Sequence, residues 1–554
     1  MKKAFTIIIV SLIYTMNMYS QNWQTYPYSP AGTVLSFPVD DGRHTASNTN
    51  TEWWYINLHL IGSAPNYKVY DVMLCYFNKP ANMRIFNIAV PATGTFHTNV
   101  NRTQLALTSQ TGHWELSYYI LLPSIRDTSK WTYPTDSVPY RYYFHAENPT
   151  DNDGLKVTVT NNRPPINIGG DCYIPIGTNG DSSFYYSYSN MKVEGTIKFA
   201  GVTDTITSGI GWIDRQWGPF TVGINTNNLY EWFSMQLDKK GTIWGSPQTP
   251  SEFNIWQTYT ADSNNVPCTP ASRLISGIYP DNSQDTSSGF IFERTSYWHD
   301  QANNKYYSSS WRLINPLRNI TLDMFPTITN QVIDVTLFKF WEGAATVKGL
   351  VENKPVDGIG FAELVKSHTY MINTPSAPAN VAIIPYADHN TISWSASTAG
   401  TFPIGGYRVF RSTSTDGYWK YIATTTALSY DDYTASQDTL FYYTVTSFDN
   451  QSAVSASAYA SPVFTGVKDV SLGNSLVNIY PNPAKDQITI EVLSYNTDNI
   501  FTMDLLNIDG RIIKSQTINK YKTLFDITDL PLGIYICRVT SNNGVTVKKI
   551  VKEH

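Results

Sequence analysis

The feature that most constrains the fold is a long series of short alternating segments between residues 21 and 368. In these segments every second residue is apolar, and Gly, Asn, Asp or Pro separates one segment from the next. Residues 69–77 (VYDVMLCYF) and 230–237 (YEWFSMQL) are clear examples, and no amphipathic helical pattern of about ten residues interrupts the series. Since side chains alternate between the two faces of a strand, the sequence predicts an all-β protein built from antiparallel sheets.

The length of this series bears on the number of barrels. About 350 residues of strands exceed a comfortable single barrel, so we expect two barrels packed together. We place the first at residues 21–195 and the second at 196–370. We expect their contact to contain Trp53, Trp54 and Trp341.

Charge and composition exclude one class of partner. The chain has 39 Lys and Arg against 44 Asp and Glu, a net charge of −5 without long runs of one sign. Nucleic acid is therefore not expected as a partner. The chain is 14% aromatic, which favours strands and also suits surfaces for apolar or sugar ligands.

The first 20 residues have the pattern of a signal peptide. Basic residues at positions 2 and 3 precede an apolar run from 4 to 14 and a polar stretch to Ser20. The run is too short for a membrane span, and we place cleavage near Ser20. No later segment has about 18 consecutive apolar residues, so we expect no transmembrane segment in the mature protein.

Residues 211–220 (GWIDRQWGPF) contain an acid and a base among three large aromatic side chains. A buried carboxylate must be paired with a donor or held partly protonated. Asp214 is therefore either a proton donor or a structural group bonded to a basic side chain or to nearby backbone. Arg215 is an unfavourable direct partner, because adjacent strand residues point to opposite faces.

The sequence does not predict a metal ion or a cofactor. The four cysteines have no C-x-x-C spacing, and no two His residues have the spacing of metal ligands. Residues 151–154 (DNDG) form only a fragment of a calcium loop and favour a turn. Neither G-x-S-x-G nor H-E-x-x-H occurs, so hydrolysis by a serine or a metal is unsupported. A disulfide between Cys172 and Cys268 stays open.

A change in composition marks the end of the barrel region. Residues 371–378 (MINTPSAP) predict a linker. The next unit, residues 379–466, resembles a fibronectin type III domain through the motifs ISW (392–394), GYRVFRS (406–412) and FYYTVTS (441–447). Phe441 replaces the corner Tyr of that family, so its hydroxyl bond is expected to be missing. Such modules are most often spacers.

The last unit, residues 471–554, predicts a small β-sandwich. Its motifs, in order, are NIYPNP (478–483), LLNIDG (505–510), LPLGIY (530–535) and KKIVK (548–552). This set resembles the C-terminal sorting domain of the type IX (Por) secretion system. The resemblance implies a Gram-negative bacterium, passage through the periplasm, a secreted or cell-surface destination, and the secretion machinery as a partner.

Several motifs of the barrel region together resemble the CrtC/AttH-like family, which has a double lipocalin-like (calycin) fold. The motifs are DGRH (41–44), EWWY (52–55), YYSY (185–188), MKVEG (191–195), GWIDRQWG (211–218), EWFSMQL (231–237), FWEGA (340–344) and GIGFAEL (358–364). Known activities in this family include hydration of isolated carbon–carbon double bonds in carotenoids and in prenylated plant phenolics. The resemblance implies an apolar ligand and two lipocalin-like barrels.

The resemblance also implies site residues. Asp214 lies at the position of the family's acid, and hydration requires a proton donor, aromatic faces for a carbocation and a held water. A dry barrel mouth would raise the pKa of Asp214 and suit it to donate a proton. The predicted ligand-binding residues are Trp212, Trp217, Glu52, Trp54, Tyr185, Ser187 and Trp232.

Three residues have structural alternatives, and one position departs from the family. Glu52 could be a carboxylate that accepts hydrogen bonds from buried Tyr or Trp, and Glu342 and Glu363 are assigned mainly to packing between the barrels. Carotenoid hydratases have a His on the strand where this chain has residues 185–188 (YYSY), so one helper group is missing.

Our leading hypothesis is an exported lipocalin-like protein that binds an apolar or isoprenoid-type small molecule, with cofactor-independent hydration at Asp214 as its candidate activity. The main alternative is a non-catalytic carrier of a hydrophobic ligand that uses the same cavity. A cell-surface carbohydrate-associated module is a third hypothesis. It is based only on the fibronectin-like unit and the 38 Tyr residues.

Overall fold

The protein is described by a computed structural model covering residues 23–553, apart from several short segments. These segments are 81, 104–106, 122–123, 133–139, 177–179, 222–227, 239–250, 262–266, 337, 387, 436–438, 440, 461–476, 493–500 and 542–543, and the side chains at 228, 260–261, 267–271, 541 and 544–545 are likewise not described. The predicted signal peptide and the side chain of Cys268 therefore lie outside the described residues. In the described part, no helix has the length and hydrophobicity needed to cross a bilayer.

The first large sheet has 14 strands, all paired antiparallel. Its strands are β1 (Thr51–Ile61), β2 (Val69–Lys79), β3 (Met83–Val90), β4 (Thr95–Arg102), β5 (Leu107–Ser109), β6 (Glu115–Ile120), β7 (Ile125–Trp131), β8 (Arg141–Asn148), β9 (Asp153–Thr160), β10 (Ile166–Asn167), β11 (Tyr173–Ile176), β12 (Asp181–Phe199), β13 (Val202–Ile206) and β14 (Ser208–Gly218). Short 3-10 helices span Val39–Asp41 and Pro91–Thr93. The order across the sheet is β4-β3-β2-β1-β14-β12-β9-β8-β7-β6-β5, so the last strand lies beside the first.

The second large sheet has ten strands and repeats this arrangement. Its strands are β15 (Asn228–Leu237), β16 (Glu252–Ala261), β17 (Pro267–Ile278), β18 (Gln284–Ser287), β19 (Ile291–Asp300), β20 (Lys305–Asn315), β21 (Ile320–Pro326), β22 (Val332–Asp334), β23 (Lys339–Val351) and β24 (Lys354–Leu364). A 3-10 helix spans Pro316–Arg318. The last strand, β24, again pairs with the first, β15. Each sheet curls into a half-barrel like those of lipocalin-like domains, as the sequence predicted.

The boundary between the two sheets differs from the predicted position at 195/196. Gly195 lies inside β12, where its φ of +140° and the carbonyl of Lys156 leave no space for a Cβ. A Gly that permits close strand packing therefore interrupts the alternating pattern without ending the domain. The first sheet continues to Gly218, and the second begins at Asn228.

Three apolar clusters divide the interior of this region. One, the first core, packs on one face of the first sheet, and another, the second core, packs on one face of the second sheet. The third cluster lies between the two sheets. Trp53 belongs to the cluster between the sheets, as predicted. The predictions for Trp54 and Trp341 are wrong, because alternation turns Trp54 into the first core and Trp341 into the second.

The third unit is a β-sandwich that packs against the second sheet. Its strands are β25 (Ala379–Pro385), β26 (Asn390–Ser395), β27 (Ile404–Ser412), β28 (Lys420–Thr425), β29 (Ser429–Asp432), β30 (Tyr442–Asp449) and β31 (Ala458–Tyr459). Phe410 and Trp419 form a buried cluster with Ile314 of β20. The guanidinium of Arg408 donates to the fully buried carboxylate of Glu293 on β19. These contacts fix the unit to the second sheet, so it is docked and does not act as a loose spacer.

The last unit is a second small sandwich with its own core. Its strands are β32 (Val477–Tyr480), β33 (Gln487–Val492), β34 (Phe501–Leu506), β35 (Ile512–Ile518), β36 (Lys522–Asp526), β37 (Gly533–Ser541) and β38 (Gly544–Lys552). They form two sheets, β32-β33-β36 and β35-β34-β37-β38. The all-β prediction of two barrel-like units followed by two sandwiches is thus confirmed.

Candidate active site between the two large sheets

Asp214 is a buried carboxyl group without a cationic partner among the described residues. It lies on β14, between β1 and β12, and only 4% of its surface is exposed. Ser187 Oγ and Trp212 Nε1 donate to Oδ1 at 2.5 and 2.7 Å, and the Tyr185 hydroxyl donates to Oδ2 at 2.7 Å. All three donors are neutral, so none of them replaces the counter-ion that a buried carboxylate favours.

The protonation of Asp214 follows from this setting. Burial raises its pKa to about 7, although the hydrogen bonds from Ser187, Tyr185 and Trp212 pull the pKa downward. The carboxyl group therefore titrates near neutral pH, where both its protonated and its ionised forms are present. A carboxylic acid with a pKa near the working pH is well matched to general acid catalysis.

The strand register places Asp214 in a row of side chains that crosses the first sheet. Ser187 lies beside Asp214 on β12, Tyr55 lies beside it on β1, and Cys75 follows Tyr55 on β2. We call these four residues the Asp214 row. Because the row points away from the first core, it faces the second sheet.

A matching row crosses the second sheet. Glu342 on β23 pairs with Glu363 on β24, Glu363 pairs with Trp232 on β15, and Trp232 pairs with Trp256 on β16. We call these four residues the Glu363 row.

The two rows meet through aromatic and polar contacts. The Tyr55 and Trp232 rings meet edge to face with centroids 5.4 Å apart, and the Tyr185 and Trp256 rings do so at 6.0 Å. Asn254 on β16 donates to the Tyr185 hydroxyl at 2.8 Å, so the second sheet also contacts the donors of Asp214. The rows therefore form the two sides of one buried site.

Indole rings form much of this site. Trp212, Trp232 and Trp256 all belong to the apolar cluster between the sheets and are at most 2% exposed. A cation above an indole face is stabilised by the ring quadrupole, more strongly when water is excluded. These indole rings are thus suited to contact an apolar ligand and a positive charge that forms during a reaction.

Glu52, Trp54 and Trp217 lie on the opposite face of the same strands. Glu52 accepts from Arg215 Nη2 at 3.1 Å and from the imidazole of His44 at 2.9 Å. Burial opposes its ionisation, but His44 and Arg215 more than offset this and lower the pKa of Glu52 to about 2. The donors to Glu52 are thus a cation, the imidazole and backbone N–H of His44, and the Asn78 amide, not the Tyr or Trp groups of the structural alternative.

The two tryptophans on that face belong to the same cluster around Arg215. Arg215 lies 4.1 Å from the centroid of the Trp54 ring, and His44 stacks on Trp217 with centroids 3.8 Å apart. Asp214 and Arg215 point to opposite faces, as alternation predicts. The predicted site set therefore divides: Asp214, Trp212, Tyr185, Ser187 and Trp232 come together, and Glu52, Trp54 and Trp217 belong to the first core.

The structure adds two carboxyl groups that sequence reasoning had assigned to packing. Glu342 is 2% exposed, and the Tyr230 hydroxyl donates to Glu363. Burial and then the charge of Glu363 raise the pKa of Glu342 well above its usual range. Burial raises the pKa of Glu363 to about 7, with Tyr230 lowering it and Asp214 raising it further. The signal that could have found them is the alternation of side chains along a strand. The neighbours of Glu342 and Glu363 in sequence point into the second core, so the two carboxyl groups point to the other face.

One group of possible metal ligands occurs elsewhere among the described residues. His97, Asp151 and Asp153 have ligand atoms within 4.8 Å of one another. His97 lies on β4, Asp151 lies in the turn before β9, and Asp153 is the first residue of β9. None of them lies on the strands of the Asp214 row. His97 Nδ1 and Asp153 Oδ2 are 2.8 Å apart, so these two side chains already form a hydrogen-bonded pair.

Comparisons with known proteins agree with this fold. The model of the AttH-like family matches residues 28–367, and that of the secretion system C-terminal sorting domain matches residues 478–553. No curated protein matches the chain by sequence. The chain thus contains a sorting domain of the type used for type IX secretion, which supports a secreted or cell-surface protein.

Three solved structures are similar to parts of the chain. An AttH structure from Nitrosomonas europaea has 19% identity and a TM-score of 0.47, and covers 62% of this chain and 98% of its own. Kievitone hydratase from Nectria haematococca has 17% identity and a TM-score of 0.45, with coverages of 62% and 99%. A Fn3-like protein from Clostridium thermocellum has 26% identity and a TM-score of 0.14, with coverages of 16% and 93%. Because the family model spans well over half of its residues, the chain belongs to the AttH-like family.

Proposed function

We propose that this protein binds an apolar or isoprenoid-type small molecule between its two large sheets and adds water to an isolated carbon–carbon double bond. The observation that carries the proposal is the state of Asp214. This carboxyl group is buried, has three neutral donors and no cationic partner among the described residues, and has a pKa raised to about 7. The buried Glu52, in contrast, has a cationic partner in Arg215.

The chemistry proceeds in two steps. The protonated carboxyl group of Asp214 donates its proton to the less substituted carbon of the double bond, which leaves a tertiary carbocation on the other carbon. The indole faces of Trp212 and Trp232 stabilise this cation. A water molecule then forms the C–O bond and loses a proton, so that the product is a tertiary alcohol.

Tyr185 and Ser187 act by positioning the acid. Their hydroxyl groups hold the two oxygens of Asp214, and Asn254 in turn holds both hydroxyl groups, at 2.8 Å for Tyr185 and 3.3 Å for Ser187. The orientation of the acid therefore depends on both sheets being in contact. This arrangement takes the place of the His that carotenoid hydratases have on the corresponding strand.

A non-catalytic carrier is the second candidate. It is favoured by one observation: the three hydrogen-bond donors are enough to satisfy an Asp214 carboxylate that takes no part in proton transfer. Native mass spectrometry of the full chain distinguishes the ligand class, since a carrier retains a lipid or terpenoid through purification.

The test of the enzyme uses oxygen-18 water. The full chain is incubated with a phenol that has a 3-methylbut-2-enyl side chain and, separately, with geraniol, and the products are analysed for a labelled tertiary alcohol. We expect label with the wild type and none with Asp214→Asn. Asp204→Asn, which removes a carboxyl group on β13 outside the site, should keep the wild-type rate. Hydration is refuted if the wild type incorporates no label or if Asp214→Asn incorporates it equally fast.

We also infer that the chain reaches the cell surface or the medium through the periplasm. The sorting domain supports the final destination, and the pattern of residues 1–20 supports the first step.

A further inference from the structure

The second sheet has its own acid at the position that Asp214 occupies in the first. Residues 209–214 read GIGWID and residues 358–363 read GIGFAE, so Glu363 is the counterpart of Asp214. Both segments lie on the last strand of their sheet, and that strand pairs with the first long strand in each case. The repeat of the fold thus places two acids opposite each other in the site between the sheets.

Glu363 is not alone, because its direct neighbour across the strand pair is Glu342. Two carboxylates in such a position repel each other, and a buried pair relieves the repulsion by keeping one proton between them. The surroundings offer hydroxyl groups rather than cations: Tyr230 donates to Glu363, and Tyr55 lies beside Glu342. Because the described neighbours include no cation, the negative charge of the two carboxylates is reduced only by a proton that they share.

An oxygen of the pair without a hydrogen-bond partner points to a function beyond packing. Glu342 Oε1 is buried and has no hydrogen-bond partner among the described residues. Glu363 is half-buried. A carboxylate oxygen with no hydrogen-bond partner is able to accept a hydrogen bond, and then a proton, from a water molecule, as a general base does.

The pair also has a connection to Asp214. Tyr55 is the cross-strand partner of Asp214, and its hydroxyl lies beside Glu342. Trp232 lies next to Glu363 on the second sheet and contacts the Tyr55 ring. The titratable groups that face the pair are thus Asp214, Tyr55, Tyr230 and Cys75, all with neutral or acidic side chains.

We propose that Glu342 and Glu363, sharing one proton, accept the proton that the attacking water loses and return it to Asp214. Asp214 gives its proton to the double bond, the water oxygen bonds to the carbocation, and one water proton passes to the pair. The same proton then moves to the Asp214 carboxylate, so both acids regain their starting states and the net reaction is addition of water. This inference rests on the hydration proposed above.

The test separates protonation of the alkene from addition of water. The full chain is incubated with the 3-methylbut-2-enyl phenol in deuterium oxide enriched in oxygen-18. Deuterium in recovered alkene reports proton transfer by Asp214 and its reversal, and oxygen-18 in the tertiary alcohol reports addition. Loss of a general base reduces the rate by about 100-fold or more.

We expect Glu363→Gln and Glu342→Gln to lose oxygen-18 incorporation by about this factor while alkene deuteration continues. Asp214→Asn should lose both signals, and Glu194→Gln, at an exposed position on β12, should lose neither. The proposal is overturned if either glutamate variant hydrates at the wild-type rate, or if both signals fall together. A wild type that hydrates nothing refutes the proposed function itself and, with it, the role of the pair.

An infrared measurement keeps the proposal testable if a variant does not fold. At pH 8 the wild type should show a protonated carboxyl band that shifts in deuterium oxide, and Asp214→Asn should retain it. Glu342→Gln should lose the band, because Glu363 alone no longer needs a shared proton. Absence of the band from the wild type overturns the proposal whatever the activity.

Discussion

Replacing Asp214 by Asn should change the stability of the protein by an amount that depends on pH. The folded state holds the Asp214 proton more tightly than the unfolded chain, because burial raises the pKa from its ordinary value of 3.8 to about 7. Between these two pH values the folded state binds more protons than the unfolded state, so the free energy of unfolding falls as pH rises. The contribution of the Asp214 proton to that free energy is fully lost above about pH 7. At about 1.36 kcal/mol per pH step, the whole effect is about 4 kcal/mol.

The size of the expected change follows from the two chosen conditions. From pH 5 to the folded pKa is about two pH steps, so the wild type loses about 3 kcal/mol between pH 5 and pH 8.5 through Asp214. Asn at this position has no proton to lose. Relative to the wild type, Asp214→Asn should therefore be about 3 kcal/mol more stable at pH 8.5 than at pH 5.

Urea unfolding followed by tryptophan fluorescence at the two pH values measures this difference. Asp204→Asn is the matched control, because hydrogen bonds from Ser63 and Tyr70 outweigh burial and lower the pKa of Asp204. Its contribution is already complete at pH 5, so its stability effect should be equal at both pH values. An equal effect of Asp214→Asn at pH 5 and pH 8.5 would refute the reasoning about Asp214.

Three further predictions concern the surrounding structure. Trp212→Phe should reduce turnover less than Asp214→Asn, because the smaller ring still presents a π face, and comparison of kcat/KM for the two variants measures this; an equal loss would contradict it. Arg215→Met should cost about 3–5 kcal/mol in urea unfolding, because it removes the guanidinium partner of the fully buried Glu52, and a cost below about 1 kcal/mol would show that the pair is not structural. Deletion of the residues after about 470 should leave the protein in the periplasm of a type IX-competent host, and its appearance in the medium would contradict the role of the sorting domain.

The fold was largely predictable because it depends on patterns that are local in sequence. Alternation over residues 69–77 and 230–237 identified strands that the structure has as β2 and β15, and the ordered motifs identified the family and the sorting domain. The domain boundary was misplaced because β12 continues through Gly195, and pairing with β14 is a long-range property. The signal peptide stays a prediction.

The candidate site was predictable only in part. Asp214 and Trp212 share a strand face by parity, so their contact follows from the sequence. The separation of Glu52, Trp54 and Trp217 from Asp214 also follows from parity, but only once β1 and β14 are known to be neighbours in a fixed register. Parity could have assigned Glu342 and Glu363 to the face opposite the second core. That this face meets Asp214 depends on the contact between the two sheets, and nothing local in the sequence shows that contact.

The central claim is that Asp214 works as an acid whose donors set its pKa, and the pH dependence of hydration by Ser187→Ala tests it most directly. In the wild type, kcat/KM should fall as pH rises through about 7, since the proton on Asp214 is lost there. Ser187 lowers this pKa by its hydrogen bond, so Ser187→Ala should move the fall in kcat/KM to higher pH. A fall that stays in place or moves to lower pH would contradict the account.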